Sequence, residues 1–158
     1  MKALEVRIRK VRKGDIDRII DIERSWHHLS HWSIDSYYRL LNDDSFTSSF
    51  VAEIEDEHGR ANIVGFVIFH IAADVSEIYN IAVENGHARS GIGKELMMAA
   101  IRESERRRAV KVVLEVRKSN NPAINFYLKF NFKIAGERKN YYSNPIEDAY
   151  VMELEVSH

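Results

Sequence analysis

EIYNIAVENGHARSGIGKELMM, residues 77–98, changes its periodicity halfway along. Ile78 to Val83 is β-branched and apolar, the make-up of a buried strand. From Ile92 on, apolar residues fall at 92, 96, 97, 100 and 101, the spacing of one helical face. The polar turn between them, residues 85–93, contains Gly86, Gly91 and Gly93. A glycine-bearing turn that runs from a strand into a helix presents several unpaired backbone N–H groups, and such a nest binds phosphate oxygens with help from the helix dipole. Two phosphate loops fail against these letters. A nucleotide P-loop ending on Gly93-Lys94 would need glycine at Ala88 and a hydroxyl at Glu95. The dinucleotide fingerprint would need a third glycine where Leu96 stands.

A strand, then x-Arg-x-Gly-x-Gly, then an amphipathic helix resembles the acetyl-CoA pyrophosphate loop of the GNAT acetyltransferases. Asn80-Ile81-Ala82-Val83 before the loop and Leu114-Glu115-Val116-Arg117-Lys118-Ser119-Asn120 after the helix resemble the RimI type, which acetylates the N-terminal amine of a ribosomal protein, commonly alanine. Ala123-Ile124-Asn125-Phe126-Tyr127, Arg138-Lys139-Asn140-Tyr141-Tyr142, Glu147-Asp148-Ala149 and Met152 continue the likeness over nearly the whole chain, least well before residue 45. The resemblance implies an α/β fold: one mixed, mostly antiparallel central sheet flanked by helices, with acetyl-CoA lodged where the fourth and fifth strands splay apart.

Composition agrees with one soluble globular domain. The 158 residues are enough to bury roughly two thirds of the unfolded surface. No linker or repeat divides residues 1–158, which read as a single domain. The formal net charge of −1 points to neither nucleic acid nor an anionic membrane. Absence of cysteine excludes disulfides, thiolate metal sites and a thiol nucleophile. There is no signal-like apolar core and no long apolar run, so a cytoplasmic location is expected, as a monomer or weak homodimer.

Elsewhere the chain alternates between strands and helices. Residues 4–9 read as a strand, and Asp15 as the N-cap of a helix bearing Ile16, Ile19 and Ile20. Ser33 is placed to cap a short helix with Tyr37, Tyr38 and Leu41. His27, His28 and His31 cluster before it. An i, i+4 histidine pair can hold a metal, whereas a polar groove rim is the simpler reading, so no metal is expected. Phe50–Ile54 and Ile63–Ile71 form a hairpin around a charged turn. Arg106-Arg107-Arg108 closes a helix, where the dipole favours cations. Val110–Val116 is a strand, after which Asn121 and Pro122 start a helix with Ile124, Tyr127 and Leu128 on one face. Asn131 suits a left-handed helix end, and residues 132–138 and 148–155 supply the last strands.

Acetyl transfer from a thioester needs a neutral amine, a stabilised oxyanion and a proton for the departing thiolate. An α-amino group, with a pKa of about 7.7–8.0, is partly neutral near pH 7, whereas lysine at about 10.4 is not. A base of modest strength therefore serves an N-terminal acceptor. On periodicity alone Glu115 is a polar residue on a half-exposed strand face, and Tyr127 a core tyrosine with one hydrogen bond. The resemblance makes Glu115 the proton acceptor and Tyr127 the proton donor, with Glu77 as the alternative base. Two glutamates facing one cavity would raise the pKa of one of them. For acetyl-CoA the resemblance assigns Ile81, Ala82 and Val83, then Arg89, Ser90, Gly91, Ile92, Gly93 and Lys94 for the pyrophosphate, and Asn120 for the pantetheine arm. Trp32, Tyr141 and Tyr142 would line the acceptor groove. Ala88 replaces a Gln or Arg common in the family, which predicts weaker CoA binding, and His31 stands where a proline is frequent. Two alternatives stay open: an acetyltransferase for small amines or lysine side chains, and a non-catalytic CoA-binding scaffold.

Overall fold

The computed structural model describes residues 5–26, 34–42, 47–87 and 90–156. Seven strands form one sheet: β1 (Arg7–Lys10), β2 (Thr47–Glu55), β3 (Ala61–Ala72), β4 (Val75–Val83), β5 (Lys111–Arg117), β6 (Lys133–Tyr142) and β7 (Glu147–Glu155). Their order is β1-β2-β3-β4-β5-β7-β6, antiparallel throughout except between β4 and β5. Parallel neighbours need a crossover of a dozen or more residues. Here helix α3 (Ile92–Arg106) supplies it, while α1 (Ile16–Arg24), α2 (Ile34–Asn42) and α4 (Asn121–Lys129) complete the layers. This is the mixed, mostly antiparallel sheet with flanking helices that the resemblance implied.

Alternate residues of β3 face opposite sides, as the two-residue period of a strand requires. Val67, Phe69 and Ile71 pack with Leu96, Met97 and Ala100 of α3 and Ile124 and Tyr127 of α4. Phe66 and Ile68 pack with Ile16, Ile19, Ile20 and Ile22 of α1 and Tyr37 of α2. A bulge in β4 interrupts the alternation: Phe69 opposes Ile78 and Ile68 opposes Asn80, so Tyr79 has no counterpart. Ile78 therefore belongs to the α3 layer, yet Ala82, an even number of residues on, belongs to the α1/α2 layer. Tyr79 and Asn80 both reach that second layer; Tyr79 packs against it, and the Asn80 carboxamide donates to the buried Tyr37 hydroxyl at 3.5 Å.

Several local expectations are corrected. Residues 5 and 6 lie outside β1, which starts at Arg7. Asp15 does occupy the cap position of α1, but its side chain makes no cap bond. It receives the Arg9 guanidinium at 2.8 and 3.0 Å and the Arg12 N–H at 2.7 Å instead, because a charged fork on β1 is the stronger partner. The cap of α4 is Asn120, whose Oδ1 accepts the Ala123 N–H at 3.3 Å, so Asn121 is already helical and Pro122 still sits in the first turn. Leu128 is exposed, since α4 buries Ile124 and Tyr127 and leans on Phe126 and Phe130 rather than on its Leu128 edge. Strand β4 begins at Val75 rather than Ile78, so Glu77 lies within it. Asn131 ends α4 at φ +73°, the left-handed position anticipated for it. Of the three arginines, Arg106 pairs with Glu103 and Arg107 donates to Ser48 Oγ at 3.0 Å, both structural uses. Ser33, His27, His28 and His31 lie outside the described residues. Among the described residues no helix is long and apolar enough to cross a membrane, and no group of His, Asp or Glu could hold a metal ion.

Gly65 shows how closely α3 is seated on the sheet. A Cβ there would lie 3.0 Å from Leu96 Cδ1, 3.1 Å from the Ala82 carbonyl and 3.3 Å from Ile92 Cγ2. Gly65→Ala is expected to cost about 1–3 kcal/mol, since overpacking against backbone cannot relax by a rotamer change. A thermal melt should show Tm lowered by several degrees; an unchanged Tm would mean that α3 is not held at this distance.

Candidate active site

β4 and β5 keep their parallel ladder only for Val75–Ile78 against Lys111–Leu114. Beyond it, β4 stays bonded to β3 and β5 to β7, so the two strands part and their facing backbone groups lose each other. The gap opens into a cavity of about 840 Å³. Its walls come from Tyr79–Val83 of β4, Glu115–Arg117 of β5, the start of α3, the start of α4, and Trp26. Buried backbone N–H and C=O groups require partners. A strand edge opened in this way is therefore a built binding surface for an extended ligand. One end of it is pinned: the Trp26 indole N–H donates to the Val83 carbonyl at 2.8 Å.

The helix N-terminus expected to hold phosphate lies on the same cavity. Gly91, Gly93 and Lys94 line it. Gly91 caps α3 at φ +86°, a conformation that L side chains rarely adopt, and Glu95 N–H makes the first intrahelical bond, back to the Gly91 carbonyl. The N–H groups of Ile92, Gly93 and Lys94 precede that bond and point out of the helix end. Ile92 can contribute only its backbone, because its side chain is fully buried against the sheet. Ser90 is exposed and its hydroxyl donates to the His87 carbonyl. Arg89 and Trp32 lie outside the described residues. Asn120 lines the cavity with its oxygen committed to capping α4, which leaves the carboxamide NH2 for a ligand.

Glu115 and Tyr127 face this one cavity from β5 and α4. The Glu115 carboxylate is only 12% exposed and takes the Arg138 guanidinium at 3.3 Å. Burial pushes its pKa above the ordinary value, the neighbouring Glu77 pushes it further, and Arg138 pulls it back. The upward effects win because Arg138 is 58% exposed, and a solvated cation gives little in high dielectric. Tyr127 is raised to about 12 by burial alone. Its ring packs between Phe126 and Phe132, at centroid distances of 5.6 and 5.9 Å. The hydroxyl is thus protonated across the physiological range and is suited to donate, not to accept. Glu77 is absent from the cavity wall; it acts on Glu115 from the adjacent strand, opposite Val113.

Tyr141 and Tyr142 end strand β6 rather than lying in the turn beyond it. Tyr142 is half-buried in the cavity wall, and its hydroxyl is held well above the usual range chiefly by burial. Tyr141 meets it edge-on at 4.9 Å and is exposed. Three side chains here were not anticipated. Tyr79, re-aimed by the bulge, bonds His70 Nδ1 at 3.1 Å and lines the cavity. Arg138 reaches Glu115 from two strands away. Arg117, present in the Leu-Glu-Val-Arg word, is buried beneath Tyr142. Arg117 and Arg138 each stood in a word of the family likeness, whereas Tyr79 carried no sequence signal.

A cleft between parting strands, a glycine-capped helix end on it, and a carboxylate and a phenol in its wall make a site for an extended, phosphate-bearing ligand beside two groups able to exchange protons. The chain belongs to the acetyltransferase (GNAT) family, whose model matches residues 16–132. It is 33% identical over 150 residues to a protein of Bacillus subtilis (strain 168) provisionally named ribosomal protein bS18-alanine N-acetyltransferase, covering 95% of each chain. An N-alpha-acetyltransferase of Sulfurisphaera tokodaii is 34% identical over 166 residues, covering 96% of this chain and 93% of its own. The crystal structure of the ribosomal-protein-S18-alanine N-acetyltransferase from Escherichia coli superimposes with a TM-score of 0.84 at 29% identity, over 98% and 96% of the two chains. The chain is accordingly an acetyl-CoA-dependent N-acetyltransferase of the RimI and N-alpha type.

The opposed influences on Glu115 give a signed test that needs no substrate. In a carbon-13 titration of its carboxyl, wild-type Glu115 should titrate above the ordinary glutamate value of about 4.3. Arg138→Gln removes the depressing charge and moves the midpoint up. Glu77→Gln removes the repelling charge and moves it down. A midpoint that rises in Glu77→Gln contradicts the arrangement.

Proposed function

We propose that the chain acetylates the α-amino group of a protein N-terminus by direct attack on acetyl-CoA in the β4–β5 cleft, with Glu115 as base and Tyr127 as acid. The observation that carries this reading is the convergence of Glu115, Tyr127, the parted strand Ile81–Val83 and the α3 N-terminus on one cavity. The pyrophosphate would rest on the N–H groups of Gly91 to Lys94, with Ser90 and Arg89 at its rim, and the pantetheine arm on β4 and the Asn120 NH2. A β4 N–H in this stretch would polarise the thioester carbonyl as charge develops on its oxygen. The amine nitrogen forms the new C–N bond and gives its proton to Glu115. The C–S bond breaks, and the CoA thiolate takes the Tyr127 proton, which solvent replaces.

Glu77 is the second carboxylate, tuning Glu115 rather than acting in its place, because Glu115 is the one in the cavity wall. Tyr141, Tyr142 and Trp32 would grip the acceptor backbone. The names of the Bacillus subtilis and Escherichia coli relatives support an alanine-first ribosomal protein as acceptor, and hence a cytoplasmic site of action. The Sulfurisphaera tokodaii relative, named simply as an N-alpha-acetyltransferase, supports the α-amino group of a protein as the acceptor without fixing its first residue.

The reading is tested by CoA release from acetyl-CoA with short peptides beginning Ala, Ser or Met, and with a blocked peptide carrying a free lysine. Release with a free N-terminus and none with the blocked peptide is expected; release with the lysine peptide alone overturns it. Glu115→Gln and Tyr127→Phe should each lower kcat by about 10²-fold or more, the usual scale of general acid–base catalysis. Acetyl-CoA affinity should stay within about twofold, and unchanged turnover in both variants would remove their roles.

A further inference from the structure

Arg117 makes three hydrogen bonds and a ring contact on the cavity wall, and the chemistry above does not use it. It is 7% exposed. Its guanidinium donates to the Pro145 carbonyl at 3.0 Å, the Ser143 carbonyl at 3.3 Å and Glu147 Oε1 at 3.3 Å. The same plane lies over the Tyr142 ring, 4.4 Å from its centroid. Glu147 in turn accepts the Ser119 N–H at 2.7 Å and the Ser119 hydroxyl at 3.0 Å. Ser119 precedes Asn120, the cap of α4, and both line the cavity. One ion pair thus ties the β5–α4 turn, on the proposed pantetheine side, to Tyr142 and the 143–146 turn, on the proposed acceptor side.

A planar fork that bonds two carbonyls and a carboxylate while stacking on an aromatic ring cannot be reproduced by an ammonium. The two carbonyls belong to the turn that follows Tyr142↔Glu147, the last pair of the β6–β7 ladder, so the fork holds the turn where the ladder stops. We propose that Arg117 and Glu147 are positioning residues: Arg117 sets Tyr142 and the 143–146 turn as one wall of the acceptor subsite, and Glu147 joins that wall to the β5–α4 turn that meets acetyl-CoA. This deepens the proposed N-terminal acetylation and rests on it for the acceptor's identity. Arg117 acts through Tyr142 and the turn, so its loss should be felt in acceptor binding rather than in the chemical step. Glu147 holds both sides, so its loss should be felt in both substrates.

The test uses the full chain. For Arg117→Lys, the acceptor KM should rise about tenfold, with kcat within about threefold and acetyl-CoA affinity by isothermal titration unchanged. For Glu147→Ala, acceptor KM and acetyl-CoA Kd should both rise several-fold. A merely structural role predicts the opposite pattern for Arg117→Lys, a lower Tm and a lower kcat at constant KM, and that result overturns the proposal. If the wild-type chain acetylates no peptide, the functional reading falls on its own, and amide hydrogen exchange decides this one. Exchange across residues 143–148 of free Arg117→Lys should be at least about tenfold faster than in wild type, and equal exchange overturns it.

Discussion

The parting of β4 from β5 after Ile78 and Leu114 is the constraint on which the rest depends. A parallel pair requires a crossover helix, and a helix that crosses from the end of β4 must present its N-terminus at the carboxyl end of that strand. The gap and the anion-binding helix end are therefore one feature seen from two sides. Were the ladder to continue to Val83, the strand amides would be used up by β5 and no slot would exist. The Tyr79 bulge sits immediately past the last paired residue. It lets β4 turn away while remaining bonded to β3, and it sends Tyr79 and Asn80 together toward α1 and α2.

Within that slot the competition is between dehydration and charge pairing. Glu115 has a cation at 3.3 Å and yet a raised pKa, because its own burial and the Glu77 charge outweigh an arginine that is mostly in water. The same cation over the exposed Tyr141 ring stands 5.9 Å from its centroid, so Arg138 is shared between the carboxylate and the aromatic wall. Tyr127 has no such counter-charge, and burial alone sets its pKa. A carboxylate that holds its proton more readily than a free one and a phenol that stays protonated at neutral pH are thereby placed on two different elements around one space.

What was legible in the chain was local. The strand–turn–helix of residues 77–98 could be read because both periodicities and the glycines lie within two dozen consecutive letters. Asn131 was legible because its backbone conformation depends on its own side chain. Glu115 and Tyr127 came from the family likeness, since alternation alone makes Glu115 an ordinary strand residue. The misjudged details turned on geometry that the letters do not carry. Asp15 faces Arg9 across a strand rather than its own helix. Arg138 meets Glu115 only because β7 inserts between β5 and β6. A bulge leaves no compositional trace, so Tyr79 could not be placed. Asn120 and Asn121 are adjacent identical residues, and only the geometry decides which one caps α4.

The two sides of the slot are built from different materials. The side proposed for acetyl-CoA is mostly backbone: strand amides of β4 and the first N–H groups of α3, fixed by the fold and indifferent to most substitutions. The side proposed for the acceptor is made of side chains on the edge strand β6 and its turn, where Tyr141, Tyr142 and Arg138 depend on Arg117 and Glu115 for their placement. Edge positions carry few packing obligations and can change without unfolding the sheet. Choice of acceptor can thus vary among relatives that share this carrier site, and the variation should concentrate at β6, β7 and the α1–α2 side rather than along β4.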